Sequence, residues 1–305
     1  MDARARANRH PAIAVPSWLR SCWALGRAAA SSWLDDYAPS MGAALSYYSV
    51  FSLAPLLVIV IAVAGLVFGA DAARGEVFGQ LRGLMGDDAA EGVEAMLANM
   101  HRPEHGGVAT LVSVGALLVG ATSVFAELQN ALDRIWKVPP RDRSSGLWGL
   151  ICSRLLSFGM IMGIAFLLVV SLVVGAAVSA LGKWWAGAFG SWELLAQALN
   201  AIVGFALTWA VFAMIYKIIP RLRVAWRDVW LGAAVTALLF TIGRVLIGLY
   251  IGKSGIASGF GAASSLAIIF VWVYYSAQIF LLGAEFTHVY ARCLGSLRAA
   301  EPPFY

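Results

Sequence analysis

Five or six long apolar runs constrain this chain more than any other feature of its sequence. Five of them carry almost no charge, and each is long enough, or nearly so, to cross a bilayer. A spanning helix needs roughly 20 apolar residues, because each residue rises ~1.5 Å. The runs are continuous rather than alternating, so they predict helices and not the strands of a barrel. They are Leu53–Gly69, Val108–Ala126, Leu155–Leu181, Leu194–Ile219, Val229–Ile251 and Ala262–Phe286.

The overall composition agrees with a membrane protein. Of the 305 residues, 60% are hydrophobic and only 13% are charged, and the mean hydropathy is +0.77. These values are far from those of a soluble enzyme. Because the runs take up most of the chain, we expect one membrane domain rather than two soluble domains.

The basic residues sort by the connection in which they lie. Sixteen of the 22 lysines and arginines fall in the N-terminal segment, the second-to-third and fourth-to-fifth connections and the tail. Cytoplasmic loops of membrane proteins carry the excess of Lys and Arg. The distribution therefore predicts an all-α, polytopic integral membrane protein with six transmembrane helices and both termini in the cytoplasm.

This topology divides the chain into three parts. We expect a cytoplasmic N-terminal segment at 1–40, a six-helix membrane domain at 41–292 and a cytoplasmic tail at 293–305. No cleavable signal peptide is expected, because the first 40 residues lack a compact apolar core followed by a small-residue cleavage site. Trp18 and Trp23 predict a short amphipathic helix that either lies on the inner membrane surface or packs on the bundle.

Residues 71–107 form the longest external connection. Apolar residues recur at helical spacing on both sides of Gly86 and Asp87, which are typical of a helix stop followed by a new N-cap. We therefore predict two short amphipathic helices on the outer face. Seven acidic and three basic residues in the connection favour a solvated cap, and a lid over a substrate opening is the alternative.

Residue types that bind metals show no cluster. The three cysteines fall at predicted cytoplasmic positions without CxxC spacing, so neither a disulfide nor a zinc site is indicated. The four histidines are scattered over both sides of the membrane. We expect no metal, no cofactor and, without a catalytic motif, no enzyme.

The first run carries polar residues just before a proline. Pro55 removes a backbone donor, so we expect a helix kink there. Tyr47 and Ser52 lie in the two turns before it. These side chains either satisfy the kinked backbone and the neighbouring helices or line a cavity that opens to the cytoplasm.

Arg244 is a charged residue deep within the fifth run. It lies about 15 residues beyond the predicted cytoplasmic start, or roughly 22 Å deep, in the outer half. The polar residues at its level include Asn200 but no acid. Such an arginine can bind an anionic group such as a phosphate in a bidentate manner. The alternatives are snorkelling to the outer surface and pairing with Asp71 or Glu76.

Glu285 lies near the predicted cytoplasmic end of the last run. Glu127 and Arg154 lie at the same rim, and Arg134 and Arg221 are further partners for its charge. The pattern predicts either a structural ion network at the inner rim or a carboxylate that couples proton movement.

Four segments carry a resemblance to a known family. They are AALSYYSVFSLAPLL at Ala43–Leu57, NALDRIWKV at Asn130–Val138, YKIIPRLRVAWRDVWLGA at Tyr216–Ala233 and GAEF at Gly283–Phe286. In this order, and with six spans, the combination is specific. Over about residues 20–292 the chain resembles the YihY/BrkB family of bacterial inner-membrane proteins, once labelled ribonuclease BN.

The resemblance implies an all-helical, six-span protein of the bacterial cytoplasmic membrane. It implies no agreed activity, since members have been linked to serum resistance or virulence and, in some cases, to envelope lipid biology. The ribonuclease label fits poorly, because metal-assisted hydrolysis needs clustered ligands. The basic loops are explained by topology, so we expect no nucleic-acid partner.

Two functions remain open. A transporter or flippase of an amphiphilic anionic envelope molecule, a lipid or glycolipid, would place a set of polar residues around one lumen. A non-transporting envelope scaffold would bury the same residues in pairwise contacts. The set consists of Arg244, Tyr47, Ser52, Gln278 and Asn200. The sequence favours transport, passive or ion-coupled because no nucleotide-binding motif is present, with membrane lipids as partners, and it leaves the oligomeric state open.

Overall fold

Every regular element in the described part of the chain is an α-helix. A computed structural model describes residues 17–100, 123–139, 192–222, 224–253 and 264–297, together with Gly159 and Gly163. The helices are α1 (Ser17–Asp35), α2 (Ala38–Phe68), α3 (Ala70–Met85), α4 (Asp87–Met100), α5 (123–135), α6 (Trp192–Ile218), α7 (Trp226–Lys253) and α8 (Ser264–Cys293). The all-helical prediction is confirmed for these residues.

Four of these helices are long and apolar enough to cross a membrane. The candidate spans are Ala38–Leu66, Ala201–Ile218, Trp226–Ile251 and Ser264–Cys293. They correspond to the first, fourth, fifth and sixth apolar runs. Most of the second and third runs lies outside the described residues, so the count of six remains a prediction.

Among the described helices, the last helix, α8, makes the most extensive contacts with other helices. It packs against α7, α2, α1 and α4. Its contact with α7 is close because small residues face each other across it: a Cβ atom on Gly283 would lie 2.8 Å from the Thr236 Cβ. On the α2 side, the Ser46 hydroxyl donates to the Phe270 carbonyl at 3.2 Å. In lipid the hydrophobic effect does not drive helices together, so close packing of small residues stabilises their contact instead.

The predicted pair of helices in the first connection is confirmed as α3 and α4. Gly86 separates them with a φ of 88°, a conformation that glycine adopts without steric cost. Ala89, Val93 and Leu97 form a buried stripe on α4, and Gly92 lies against Ser265 at the start of α8. This face of α4 is therefore packed on the membrane helices rather than solvated.

The N-terminal helix α1 packs on the bundle, against α8 and α2. This arrangement agrees with the second of the two alternatives drawn from the sequence. Ala29 on the inner face of α1 is buried, whereas Trp23 is exposed. The chain turns into α2 at Tyr37, whose φ is 58°, and Pro39 lies in the first turn of α2, where its missing N–H has no helical partner to lose.

The two ends of the α6–α7–α8 bundle differ in packing. At the packed end, formed by the C-terminal halves of α6 and α8 and the N-terminal half of α7, Tyr216, Val229 and Leu281 are fully buried. At the exposed end, formed by the N-terminal half of α6 and the C-terminal half of α7, Ile202 and Leu249 are 64% and 54% exposed. The predicted topology puts the packed end in the cytoplasm.

Candidate functional site

Arg244 lies on α7 at the exposed end. It is 18 residues from Trp226 and nine from Lys253, so it lies about 27 Å and about 14 Å from the two ends of the helix. Its side chain is exposed. It forms none of the ion pairs found among the described residues, and the predicted alternatives Asp71 and Glu76 do not pair with it.

Apolar side chains surround Arg244 on the same helix. Val245, Leu246 and Leu249 are all exposed. A charge at the centre of a spanning helix costs about 2.5–3.5 kcal/mol on insertion scales, so it needs a partner, water or an anionic group. The arrangement combines one guanidinium with exposed apolar surface.

Three aromatic side chains cluster in the N-terminal half of α2. Tyr47 is exposed, and its ring contacts Tyr48 and Phe51 with centroid distances of 5.5 and 4.8 Å. All three rings are exposed. Such rings, apolar in body and polar at the tyrosine tip, suit a membrane interface.

Ser52 has a local role in α2. Its hydroxyl is buried and donates to the Tyr48 carbonyl at 2.6 Å. Pro55 lies inside α2 and offers no N–H to the carbonyl of Phe51, one turn earlier. Ser52 therefore satisfies its own helix, and the kink at Pro55 stays a prediction.

Gln278 of α8 packs against the start of α2. Its Nε2 donates to the Pro39 carbonyl at 3.4 Å, and its side chain occupies the space above Gly42, where its Cδ would lie 2.9 Å from an added Cβ. The contact is pairwise. Asn200 belongs to α6, but its side chain, like the whole of Arg154, lies outside the described residues.

Glu285 of α8 lies at the packed end and is 0% exposed. The Asp36 carboxyl group, just after α1, lies beside it. Lys137, just after α5, forms an ion pair with Asp36. The Trp136 ring meets the His288 ring, one turn beyond Glu285, with the centroids 5.3 Å apart.

The partners predicted for Glu285 lie elsewhere or outside the described residues. Arg221 pairs with Asp133 at 2.5 Å, and the Arg134 guanidinium lies 5.6 Å from the centre of the Tyr37 ring. Glu127 is half-buried, without an ion pair in this part of the chain. Asp36 lies beside Glu285 instead, because the α1–α2 turn brings it onto α8, a placement that depends on tertiary packing.

The segment 129–138, which includes NALDRIWKV, ties α5 to three other helices. Asp133 accepts from the backbone N–H and the guanidinium of Arg221, and the Gln129 amide donates to the Ile219 carbonyl at 3.2 Å. Both contacts reach the end of α6 and the turn after it. Together with Lys137 and Trp136, they fix α5 against α1, α6 and α8.

The comparisons with known proteins agree with the resemblance seen in the sequence. A family model described as Virulence factor BrkB matches residues 29–304. A UPF0761 membrane protein of Psychromonas ingrahamii is 28% identical over 258 residues, which are 80% of this chain and 79% of the relative. That of Cronobacter sakazakii is 27% identical over 260 residues, 83% of each chain.

A third relative is longer. A UPF0761 membrane protein of Ralstonia nicotianae is 27% identical over 259 residues, and the match covers 82% of this chain but 55% of the relative. The names of these relatives describe membrane proteins and state no activity. No solved structure matches the chain.

Proposed function

We propose that this chain, which belongs to the BrkB virulence-factor family of membrane proteins, moves an amphiphilic anionic envelope molecule, a lipid or glycolipid, across the bacterial cytoplasmic membrane. In this proposal the chain has six spans and both termini in the cytoplasm, and transport is passive or ion-coupled.

Arg244 is the observation that carries the proposal. A guanidinium offers planar paired donors that match the oxygens of a phosphate or carboxylate. Val245, Leu246 and Leu249 beside it are exposed and apolar. An amphiphile has the complementary chemistry, an anionic head for the guanidinium and acyl chains for the apolar surface.

The contrast between the two ends of the bundle also supports a transport function. The packed end is filled by Tyr216, whose hydroxyl donates to the Phe280 carbonyl at 2.7 Å and meets the Thr236 hydroxyl at 3.1 Å. At the exposed end Arg244 and its neighbours face outward. A ligand would thus reach Arg244 from the exposed end, while the packed end is closed.

A non-transporting scaffold is the second candidate. Ser52 and Gln278 favour it, since each lies in a local or pairwise contact rather than on a shared lumen. The two candidates differ in what a reconstituted protein does to lipid, because a scaffold can bind lipid without moving it.

The test begins with lipid binding. Native mass spectrometry of the gently extracted protein is expected to show an enriched anionic lipid that Arg244→Ala loses and Arg244→Lys partly keeps. Arg227→Ala is the matched control, since Arg227 is exposed near the start of the same helix and its loss removes the same charge. Equal lipid retention by all four proteins would contradict a role for Arg244.

The second step measures movement. Proteoliposomes that contain fluorescently labelled phosphatidylglycerol are quenched from outside with dithionite, and faster loss of the protected inner fraction than in empty liposomes reports flipping. We expect this acceleration to fall in Arg244→Ala and to remain in Arg227→Ala. Selective binding without acceleration would favour the scaffold.

A further inference from the structure

Glu285 and Asp36 form a carboxyl pair at the junction of α1 and α8. Glu285 is fully buried, and neither of its carboxyl oxygens has a hydrogen-bond partner within the described residues. Asp36 is 8% exposed and lies beside it. A buried acceptor without a donor carries the whole desolvation cost of its charge, so this carboxyl group calls for a proton or a cation.

The charges around the pair do not balance when both acids are ionised. Lys137 donates to both oxygens of Asp36. Asp35, at the end of α1, adds a further negative charge at the exposed surface. One lysine thus faces two buried carboxylates, and its ammonium group is already engaged by Asp36.

No hydrogen-bonded counter-charge to Glu285 is found on α8 or α2 among the described residues. On α8 itself, the His288 ring lies against Trp136, and Arg292 follows Glu285 by seven residues, ~10 Å along the helix. The ionisable side chains of α2 are the tyrosines Tyr47 and Tyr48, both exposed.

A single proton removes both the excess negative charge of the pair and the need of Glu285 for a hydrogen-bond partner. Two carboxylates in contact cannot both be ionised without strong repulsion, and a shared proton converts the repulsion into an O–H···O⁻ hydrogen bond. The ammonium group of Lys137 is paired with Asp36, so it compensates the charge of Asp36 and not that of Glu285. The proton therefore belongs to Glu285, which donates it to Asp36.

We propose that Glu285 is a proton-binding site that ties α8 to the end of α1 through Asp36. Removal of this proton places a second negative charge inside the junction and weakens the contact between α1 and α8. This inference stands whether or not the chain moves lipid.

Infrared spectroscopy tests the protonation directly. The protein in dodecyl maltoside, a detergent without a carbonyl group, is expected to show the C=O stretching band of a protonated carboxyl group at neutral pH, shifted in D2O. Glu285→Gln should remove this band and Glu127→Gln, a half-buried glutamate, should leave it. An absent band, or one that Glu285→Gln leaves in place, would overturn the proposal.

A second variant keeps the test decisive if Glu285→Gln does not fold. Asp36→Asn removes the repulsion and frees Lys137 for Glu285, so the band should vanish as Glu285 ionises. An unchanged band in Asp36→Asn would overturn the shared-proton arrangement. A band that is absent in the wild type, together with stabilisation by NaCl over choline chloride, would assign a sodium ion to the pair and also overturn it.

Hydrogen–deuterium exchange reports the consequence for α1. Amide exchange in 29–36 should accelerate as pH rises, beyond the intrinsic effect of pH, in the wild type but not in Glu285→Gln. Exchange in 89–97 of α4, which packs at the opposite end of α8, is the internal control. Equal pH dependence in the wild type and Glu285→Gln would contradict a proton that ties the two helices.

Discussion

The side chain of Thr287 on α8 fills the space that any side chain at Gly232 of α7 would need. The reverse contact lies one turn away, where Thr236 of α7 fills the space above Gly283 of α8. Each threonine hydroxyl donates to the carbonyl of the glycine four residues earlier in its own helix, at 2.7 and 2.8 Å. The threonines thus bring no unsatisfied group into the contact, and the glycines set the distance between the helices.

Gly283→Ala is expected to destabilise the protein. The new methyl group would overlap Thr236, which is itself fully buried and held to the Gly232 carbonyl. Overpacking of this kind typically costs about 1–3 kcal/mol. Thermal unfolding in detergent measures the effect as a lower Tm.

Gly248→Ala is the matched control for this substitution. Gly248 lies on α7, and no atom lies within 4 Å of the position its Cβ would take. The same added methyl group should leave Tm unchanged or raise it slightly, because alanine favours a helix. Equal losses in Gly248→Ala and Gly283→Ala would show that close contact at Gly283 does not limit stability.

Arg221→Ala is expected to cost about 3–5 kcal/mol, because it leaves a buried carboxylate without its counter-charge. The Asp133 side chain is 1% exposed and the Arg221 side chain 25% exposed. Arg221→Lys should recover part of the loss, since it restores the charge but not the planar fork. Denaturant-dependent unfolding in mixed micelles measures the difference.

Arg82→Ala provides the comparison for the Arg221 result. Arg82 pairs with Glu94 at 3.9 Å, and both side chains are largely exposed. Exposed pairs contribute little, with a median of about 0–1 kcal/mol. A loss in Arg82→Ala as large as that in Arg221→Ala would argue that burial does not distinguish the two pairs.

The helices were predictable because their signals are local. Apolar length predicted the four candidate spans, and Gly86 with Asp87 predicted the break between α3 and α4. The packing of α4 was not predictable. Its stripe of Ala89, Val93 and Leu97 has the same pattern whether it faces water, lipid or another helix, and only the fold shows that α2 and α8 cover it.

The candidate site was less predictable. Their positions within predicted spans drew attention to Arg244 and Glu285. The residues that lie beside Glu285, however, are distant from it in sequence. Asp36 and Lys137 are 101 positions apart in the sequence, so no local pattern reveals their ion pair. The glycine–threonine contacts of α7 and α8 were also missed, since small residues at four-residue spacing occur too often to single out Gly232 and Gly283.

Asp228→Ala is expected to release the chain after α8. The buried Asp228 carboxylate accepts from the backbone N–H of Ser296 at 2.8 Å and from its hydroxyl at 2.6 Å. Charge-assisted hydrogen bonds contribute about 1.5–3 kcal/mol, which corresponds to roughly 10- to 100-fold faster amide exchange. Exchange mass spectrometry of 294–297 measures this change.

Two further variants show whether the effect is specific. Ser296→Ala keeps the backbone contact and should accelerate exchange less than Asp228→Ala. Asp87→Ala removes an exposed carboxylate from the start of α4 and should leave 294–297 unchanged. Identical exchange in Asp228→Ala and the wild type would mean that these hydrogen bonds do not hold the segment.

Cys293 and the α3–α4 segment are expected to lie on opposite sides of the membrane. Cys293 is exposed at the end of α8, whereas Gly92 of α4 contacts Ser265 at the start of α8. The 30 residues of α8 span ~45 Å, more than the ~30 Å hydrocarbon core. A membrane-impermeant maleimide should therefore label Cys293 in inverted vesicles and not in spheroplasts.

The matched variant carries a cysteine at the other end of α8. In a background without native cysteines, Glu91→Cys places a thiol on the exposed side of α4 and should be labelled in spheroplasts and not in inverted vesicles. The Cys293 variant carries Cys22→Ser and Cys152→Ser. Labelling of both thiols from the same side would contradict a membrane-crossing α8, and the reverse pattern would invert the topology that the basic residues predict.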